Sequence, residues 1–447
     1  MTYDLMAQCQ RTGIRLVRFC YCDNANLIRG KAVPIENLSG ALESGVGYSV
    51  AQQALPVMHD VVVEEAGLAP IGEVRLMADA ATFTALPYSP GAAMVLGDFL
   101  TLDRKPWDAC PRAFLKRMIA GAAEQGLEVQ AAFENEFFLL REGPQGHDPA
   151  DRTNFASTYA MDVAHEVVMA LLDALQAEGL AVQLYHPESG PGQHEISIRH
   201  AAALAAADRQ VIFRETVRGV ALHHGLAASF APKPYADAAG SGCHLHLSLW
   251  RGGRNALYDP HDPLNLSEAG YHFIGGLLSH LRGLAAVTTP SVNSYRRLRP
   301  QTWSGAFTCY GVENREAAVR VIAPFWGREE ASCNLELKTS DPSANPYLAL
   351  GCVIAAGMDG IARRLNPGEP VSQDPALIPE AERARRGIVP LPRNLGEAIE
   401  ALGADRVLLD AMGPTLARAF TAVRRAEWEA MKDVPLEEEL RHYLWRY

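Results

Sequence analysis

Two glutamates stand two residues apart in Phe133-Glu-Asn-Glu-Phe-Phe138, between apolar runs. Side chains alternate along a strand, so Glu134 and Glu136 share one face. Two carboxylates there are costly unless something positive neutralises them. A divalent cation would do so; a solvated acidic edge strand is the bland alternative. A Gly/Pro loop, Glu188-Ser-Gly-Pro-Gly-Gln-His-Glu195, carries two more carboxylates into the next strand and by itself reads as a surface turn. In Gly240-Ser-Gly-Cys-His-Leu-His-Leu-Ser248, His244 and His246 face one side of a strand. The glycines before them let a ligand approach the backbone, although a hydrogen-bonded core pair is also possible. Arginines cluster in Asn293-Ser-Tyr-Arg-Arg-Leu-Arg-Pro300, Asn314-Arg315 and Arg320. Planar guanidinium groups suit carboxylate or phosphate; a basic surface loop is the other reading. Glu336 and Lys338 share a strand face just before Asp341-Pro-Ser-Ala-Asn-Pro-Tyr347. If these groups converge, their oxygen-rich donor set suits Mg²⁺ or Mn²⁺. Arginines facing such cations would hold phosphates, an arrangement for phosphoryl transfer.

The elements that must position these groups read as α+β. Strands are expected at 14–21, 27–33, 94–99, 181–185, 195–199 and 244–250. Helices are expected at 112–125, 161–178, 346–365 and within 398–434. Lys105-Pro-Trp-Asp-Ala-Cys-Pro111 marks a boundary. It divides a small β-rich N-terminal domain, 1–105, from a large catalytic domain, 106–447. With 447 residues the chain can bury a large core. It is 48% hydrophobic and 21% charged, which excludes wholesale disorder. Forty-one basic against 52 acidic residues give a net charge of −11, so no nucleic-acid partner is expected. The longest strongly apolar stretch, 347–358, is too short to span a bilayer, so no membrane role is expected. Residues 1–22 have no secretory pattern. The eight cysteines are scattered, which fits reduced thiols in a cytoplasm.

In their order along the chain these motifs resemble the bacterial-type glutamine synthetase family over essentially its whole length. The resemblance implies a small N-terminal β-grasp-like domain and a catalytic α/β domain. A curved antiparallel sheet of the latter forms an active-site barrel at the subunit interface. It further implies a homo-oligomer, a dodecamer of two hexameric rings. Carried over by resemblance, Glu136, Glu188 and Glu195 hold the cation nearer the substrate glutamate. Glu134, His244 and Glu336 hold the one nearer the ATP phosphates. His246 and Ser248 contact the nucleotide, and Arg315 and Arg320 handle its phosphates, Arg315 nearest the transferred group. Gly240, Arg297 and Lys338 fall in the glutamate site. The implied chemistry needs L-glutamate, ATP, an amine and two or more Mg²⁺ or Mn²⁺. The glutamate side chain attacks the γ-phosphate, and an amine then displaces phosphate from γ-glutamyl phosphate.

Departures from the family pattern concern the acceptor. Ammonia-using members carry an aspartate where Ser49 stands and a glutamate where Trp303 stands. Ala239 replaces the asparagine before Gly-Ser-Gly. Lys338 replaces an arginine, which keeps the charge and loses the bidentate fork. A small cation needs a closed negative pocket, whereas an indole suits an amine bearing carbon. Ser49 and Trp303 are thus the expected acceptor pocket of a γ-glutamyl–amine ligase, a reading that 392–398 also supports. An ammonia-dependent glutamine synthetase and an inactive structural or regulatory paralogue are the rivals. An aliphatic amine with a pKa of about 10 must lose a proton before attack, whereas an arylamine arrives neutral. Loss of both acids therefore favours an aromatic amine and disfavours a polycation. No tyrosine occurs from 367 to 392, so nucleotidylation there is not expected.

Overall fold

The computed structural model describes residues 2–143 and 146–447. Behind an N-terminal helix, Thr2–Thr12, lies a six-stranded sheet. Its strand Leu16–Cys22 pairs antiparallel with Ile28–Pro34 and parallel with Ala92–Leu100. Phe19, Tyr21, Tyr48, Phe99 and Trp107 build its own core, with edge-to-face ring contacts at 4.9–5.8 Å.

The second sheet has eleven strands, and the sixteen-residue strand Glu128–Gly143 is its spine. On one side lie Gln193–Ile198 and then Val182–Pro187. On the other lie Cys243–Arg251, Leu335–Leu337, Val319–Val321 and Tyr310–Val312. Phe133, Asn135 and Phe137 point to the packed face, where the helix Ala203–His223 lies against the strand. Asn135 is fully buried, and its Oδ1 accepts from Gln210 Nε2 at 2.6 Å. Glu134 and Glu136 take the opposite face, as alternation demands. One cavity of about 1040 Å³ touches Gln183 and Leu184 near one end of this sheet and Glu313 and Arg320 near the other. The sheet therefore curls towards itself, and the molecule is α+β with a small N-terminal domain and a large barrel-like one.

Arg112 ties the two sheets together. It opens the helix Pro111–Glu124 and meets Asp79 and Asp98 of the first sheet region and Asp208 behind the second, at 2.8–3.2 Å. Tyr347 donates to the same Asp208 at 2.7 Å.

Two expected helices differ. The one at 161–178 begins earlier, where the Ser157 hydroxyl accepts from Ala160 N, and it steps at Ala164 into Thr158–Val163 and His165–Ala177. The 398–434 region forms three helices, Leu395–Ala404, Arg406–Met412 and Pro414–Met431. Asp405 caps the second with its side chain. Gly413, at φ 79°, turns the chain ahead of Pro414, which starts the third. All eight cysteines are free and buried. No described helix is long and apolar enough to cross a membrane.

Candidate active site

Strand register assembles the site. Glu134 lies opposite His244, Glu136 opposite Glu195, and Glu336 opposite both His246 and Arg320. Directly opposed residues bring their Cβ atoms to about 5 Å, so each pair shares the cavity face. His244 Nδ1 stands 2.9 Å from Glu134 Oε2 and 3.2 Å from Glu336 Oε1, and these three form one candidate metal cluster. His246 Nε2 is 3.8 Å from the same Glu134 oxygen, and its Nδ1 pairs with Asn334 Oδ1 at 2.9 Å. Ser248 follows on the same strand, and both His246 and Ser248 line the cavity.

A second cluster contains Glu188, Glu195 and a residue that motif reading passed over, His186. His186 Nε2 is 3.0 Å from Glu188 Oε1, and its Nδ1 is 3.9 Å from Glu195 Oε1. The Gly/Pro loop between the two glutamates is a tight hairpin, closed by Glu188 N donating to Gln193 O at 2.8 Å. Glu136 lies outside both clusters. Its Oε2 accepts from Gly242 N at 3.0 Å and from Gln193 Nε2 at 2.9 Å, while its Oε1 is 3.9 Å from His244 Nε2.

Electrostatics divide the carboxyls. Burial and then the neighbouring Glu134, Glu136 and Glu188 push Glu195 up to about 11. Burial also raises Glu136. It opposes ionisation of Glu134, yet hydrogen bonds from His244 and His246 overcome it and hold that carboxyl well below its ordinary range. Burial is likewise outweighed at Glu336, by Lys338 and His244, and that group is lowered too. Carboxyls that cannot all ionise beside one another, with imidazoles among them, make a donor set that fits hard divalent cations.

The arginines are not a surface loop. Arg297 is buried against the cluster, with Nη2 3.3 Å from His244 Nε2 and 3.4 Å from Lys338 O, and its buried Nη1 has no partner among the described residues. Such an orphaned donor fits a ligand carboxylate. Arg320 Nε lies 2.9 Å from Glu336 Oε2, an ion pair too poorly aligned to count as a hydrogen bond. Lys338 Nζ reaches Glu336 Oε1 at 3.3 Å from full burial. Gly240 packs so closely on Pro232 O and the Arg297 stem that a Cβ there would clash.

Arg315 lines the cavity, and its guanidinium carbon stands 5.8 Å from the centroid of the Trp303 indole. Trp303 is 59% exposed, an apolar wall facing open space. Both Trp303 N and Gln301 N donate to Glu316, a carboxylate that sequence reading did not single out. Ser49 is elsewhere: it pairs with Glu73 in the N-terminal sheet, and its hydroxyl accepts from Ala51 N. Among the described residues no contact joins Ser49 to the clusters.

Two family models cover the chain: the glutamine synthetase N-terminal domain over residues 3–111 and the glutamine synthetase catalytic domain over 108–443. The chain belongs to the glutamine synthetase family. It is accordingly a glutamate–amine ligase. It is 38% identical over 444 residues to the γ-glutamylpolyamine synthetase GlnA3 of Streptomyces coelicolor, covering 97% of this chain and 94% of that one. It is 32% identical to a glutamine synthetase of Methanosarcina mazei, covering 99% and 97%. A solved GmaS–ADP complex matches with a TM-score of 0.86 at 32% identity over 99% of each chain. A glutamine synthase homologue matches at 0.87 and 34%, over 97% of this chain and 99% of that one.

Proposed function

We propose that this glutamine synthetase relative joins the γ-carboxylate of L-glutamate to an organic amine, alkyl or aryl, at the expense of ATP. The observation that carries this reading is the pair of three-residue clusters beside a cavity lined by Arg315, against which the Trp303 indole stands. Glu134, His244 and Glu336 hold one Mg²⁺ or Mn²⁺. Glu188 and Glu195 hold another, with Glu136 alongside and His186 as a neighbouring donor. Charge neutralisation at the phosphate oxygens is what such cations supply when bound.

The chain's own groups do the rest. His246 and Ser248 line the nucleotide cavity, and Arg320 with Arg315 neutralises the transferred phosphoryl group. The orphaned Nη1 of Arg297 takes a carboxylate of glutamate beside Gly240 and Lys338. The glutamate γ-carboxylate oxygen attacks the γ-phosphorus, and ADP leaves. The amine nitrogen then attacks the acyl carbon, phosphate leaves, and the nitrogen gives up its proton. Trp303 packs on the carbon portion of the amine. In a dodecamer of two hexameric rings, Ser49 of a neighbouring N-terminal domain completes the pocket.

Phosphate release measured across aniline, isopropylamine, ethanolamine, putrescine and ammonium, with glutamate and ATP fixed, tests this. Release with at least one organic amine at lower KM than with ammonium is expected. Release with ammonium alone, at low millimolar KM, would establish the second reading, an ammonia-dependent glutamine synthetase. That reading has the Methanosarcina relative's name in its favour. Failure to release phosphate with any amine would mark an inactive paralogue. The arylamine preference argued from lost acids meets two facts here: Glu316 sits under the Trp303 loop, and the Streptomyces relative is named for polyamines. The putrescine arm decides it.

A further inference from the structure

The loop after the Asn-Ser-Tyr motif is strained. Gln301 and Trp303 hold φ values of 62° and 58°, the left-handed region. That region brings the Cβ of a non-glycine residue too close to the following carbonyl oxygen. Such backbone persists only where its surroundings over-determine it. Here the Thr302 and Ser304 hydroxyls tie the loop from within, donating to Arg297 O and Arg299 O, and one carboxylate holds it from outside. Glu316 Oε1 accepts from Trp303 N at 2.8 Å, and Glu316 Oε2 accepts from Gln301 N at 3.2 Å.

The clamp stands on a firm base. Glu316 N donates to Asn314 Oδ1 at 3.0 Å, and Asn314 Nδ2 in turn donates to Val371 O and Gln373 O. A side prop helps: Gln301 Nε2 donates to Asp374 Oδ2 at 3.1 Å. Charge-assisted bonds to backbone N–H groups are the strong kind. Glu316 also directly follows Arg315, whose guanidinium faces the Trp303 indole. One short segment thus holds the loop from below by its carboxylate and the indole from the side by its cation.

We propose that Glu316 is a positioning residue for the acceptor amine, pinning the Trp303 loop through two backbone hydrogen bonds and so setting the indole wall against Arg315. The proposal rests on the acceptor reading above and deepens it. Glu316 need not touch the amine. It decides where Trp303 stands, and so which amine shapes fit.

Two variants test it, Glu316→Gln and Glu316→Ala. The glutamine is isosteric and can accept at only one position, so it keeps the fold and loses half the clamp. Amide hydrogen exchange of residues 299–305, read without substrates, is expected to quicken in the Gln variant and further in the Ala variant. Unchanged exchange in both overturns the clamp. In turnover with the best amine, kcat/KM is expected to fall about tenfold, the equivalent of one lost charge-assisted hydrogen bond. The fall should lie in the amine KM, with the KM for ATP within about twofold of wild type. The ranking across the amine panel should also flatten. An unaltered amine KM and ranking overturn the positioning role. If wild-type protein uses ammonium alone, the acceptor reading fails, and the exchange measurement still decides whether Glu316 pins the loop.

Discussion

A Cβ built on Gly242 would stand 2.5 Å from His244 Nε2, 2.8 Å from Arg297 Nη2 and 3.0 Å from Glu136 Oε1. Those three side chains are packed against one another and cannot all withdraw. Gly242→Ala is therefore expected to leave the protein folded, by circular dichroism, and to lower kcat/KM about 10²-fold, the scale of an ångström's misplacement of reacting groups. Near-normal activity would show that the three move without consequence. Glu195 gives a second expectation. Its carboxyl is crowded by like charge, so a divalent cation relieves it and binds the native state. Ligand binding at about 100 times Kd stabilises by about 2.7 kcal/mol. Thermal melts should therefore rise with added Mg²⁺ or Mn²⁺ and fall back on chelation, and Glu195→Gln should blunt the rise. No response of the wild type to either cation would count against the clusters as metal sites. His186 was within reach of sequence reading, because His-x-Glu in a strand puts both side chains on one face. Glu316 was not, because its partners are backbone N–H groups of an irregular loop, which no periodicity marks.

Helix junctions carry a titrating device away from the site. His280, on the helix Glu268–Thr288, sits between Asp405 Oδ2 at 2.7 Å and Asp359 Oδ2 at 3.0 Å. Arg363 also reaches Asp359 at 3.0 Å, and Asp405 caps the helix Arg406–Met412. Burial alone would lower the imidazole; hydrogen bonds and charge from the two aspartates outweigh it, so it is raised. A group raised on folding contributes stability that is fully present below its unfolded value, about 6.5, and lost as pH rises through the folded value. His280→Ala is expected to lower stability by about 2 kcal/mol at pH 6, since it takes one charged hydrogen-bond partner from each of two partly buried carboxylates. The gap from wild type should narrow as pH rises from 6 to 9. A gap that stays constant or widens with pH would refute the pairing. This triad joins residues 79 and 125 positions apart, so only packing reveals it.

At the scale of the whole molecule, exposed apolar side chains such as Phe155, Tyr159 and Trp303 ask for cover. Ser49, remote from the clusters of its own chain, asks for a neighbour. Both requests are met if N-terminal domains close the cavities of adjacent subunits. Light scattering after size exclusion should then give twelve copies of 48.5 kDa, about 580 kDa. A monomeric mass together with full activity would refute the shared pocket.

The α+β class, the strand faces of Glu134, Glu136, His244 and His246, and the family itself were legible from residue types and order alone. They were legible because strand alternation and glycine-rich turns are local, and because six motifs in sequence are improbable by chance. Register is not local. Only the folded sheet set Glu134 across from His244, committed one Glu136 oxygen to Gly242 N, brought His186 to Glu188 and Glu195, and buried Arg297. Those outcomes depend on which strands pair and at what offset, a choice made by the collective burial of apolar surface across the sheet rather than by any short stretch of sequence.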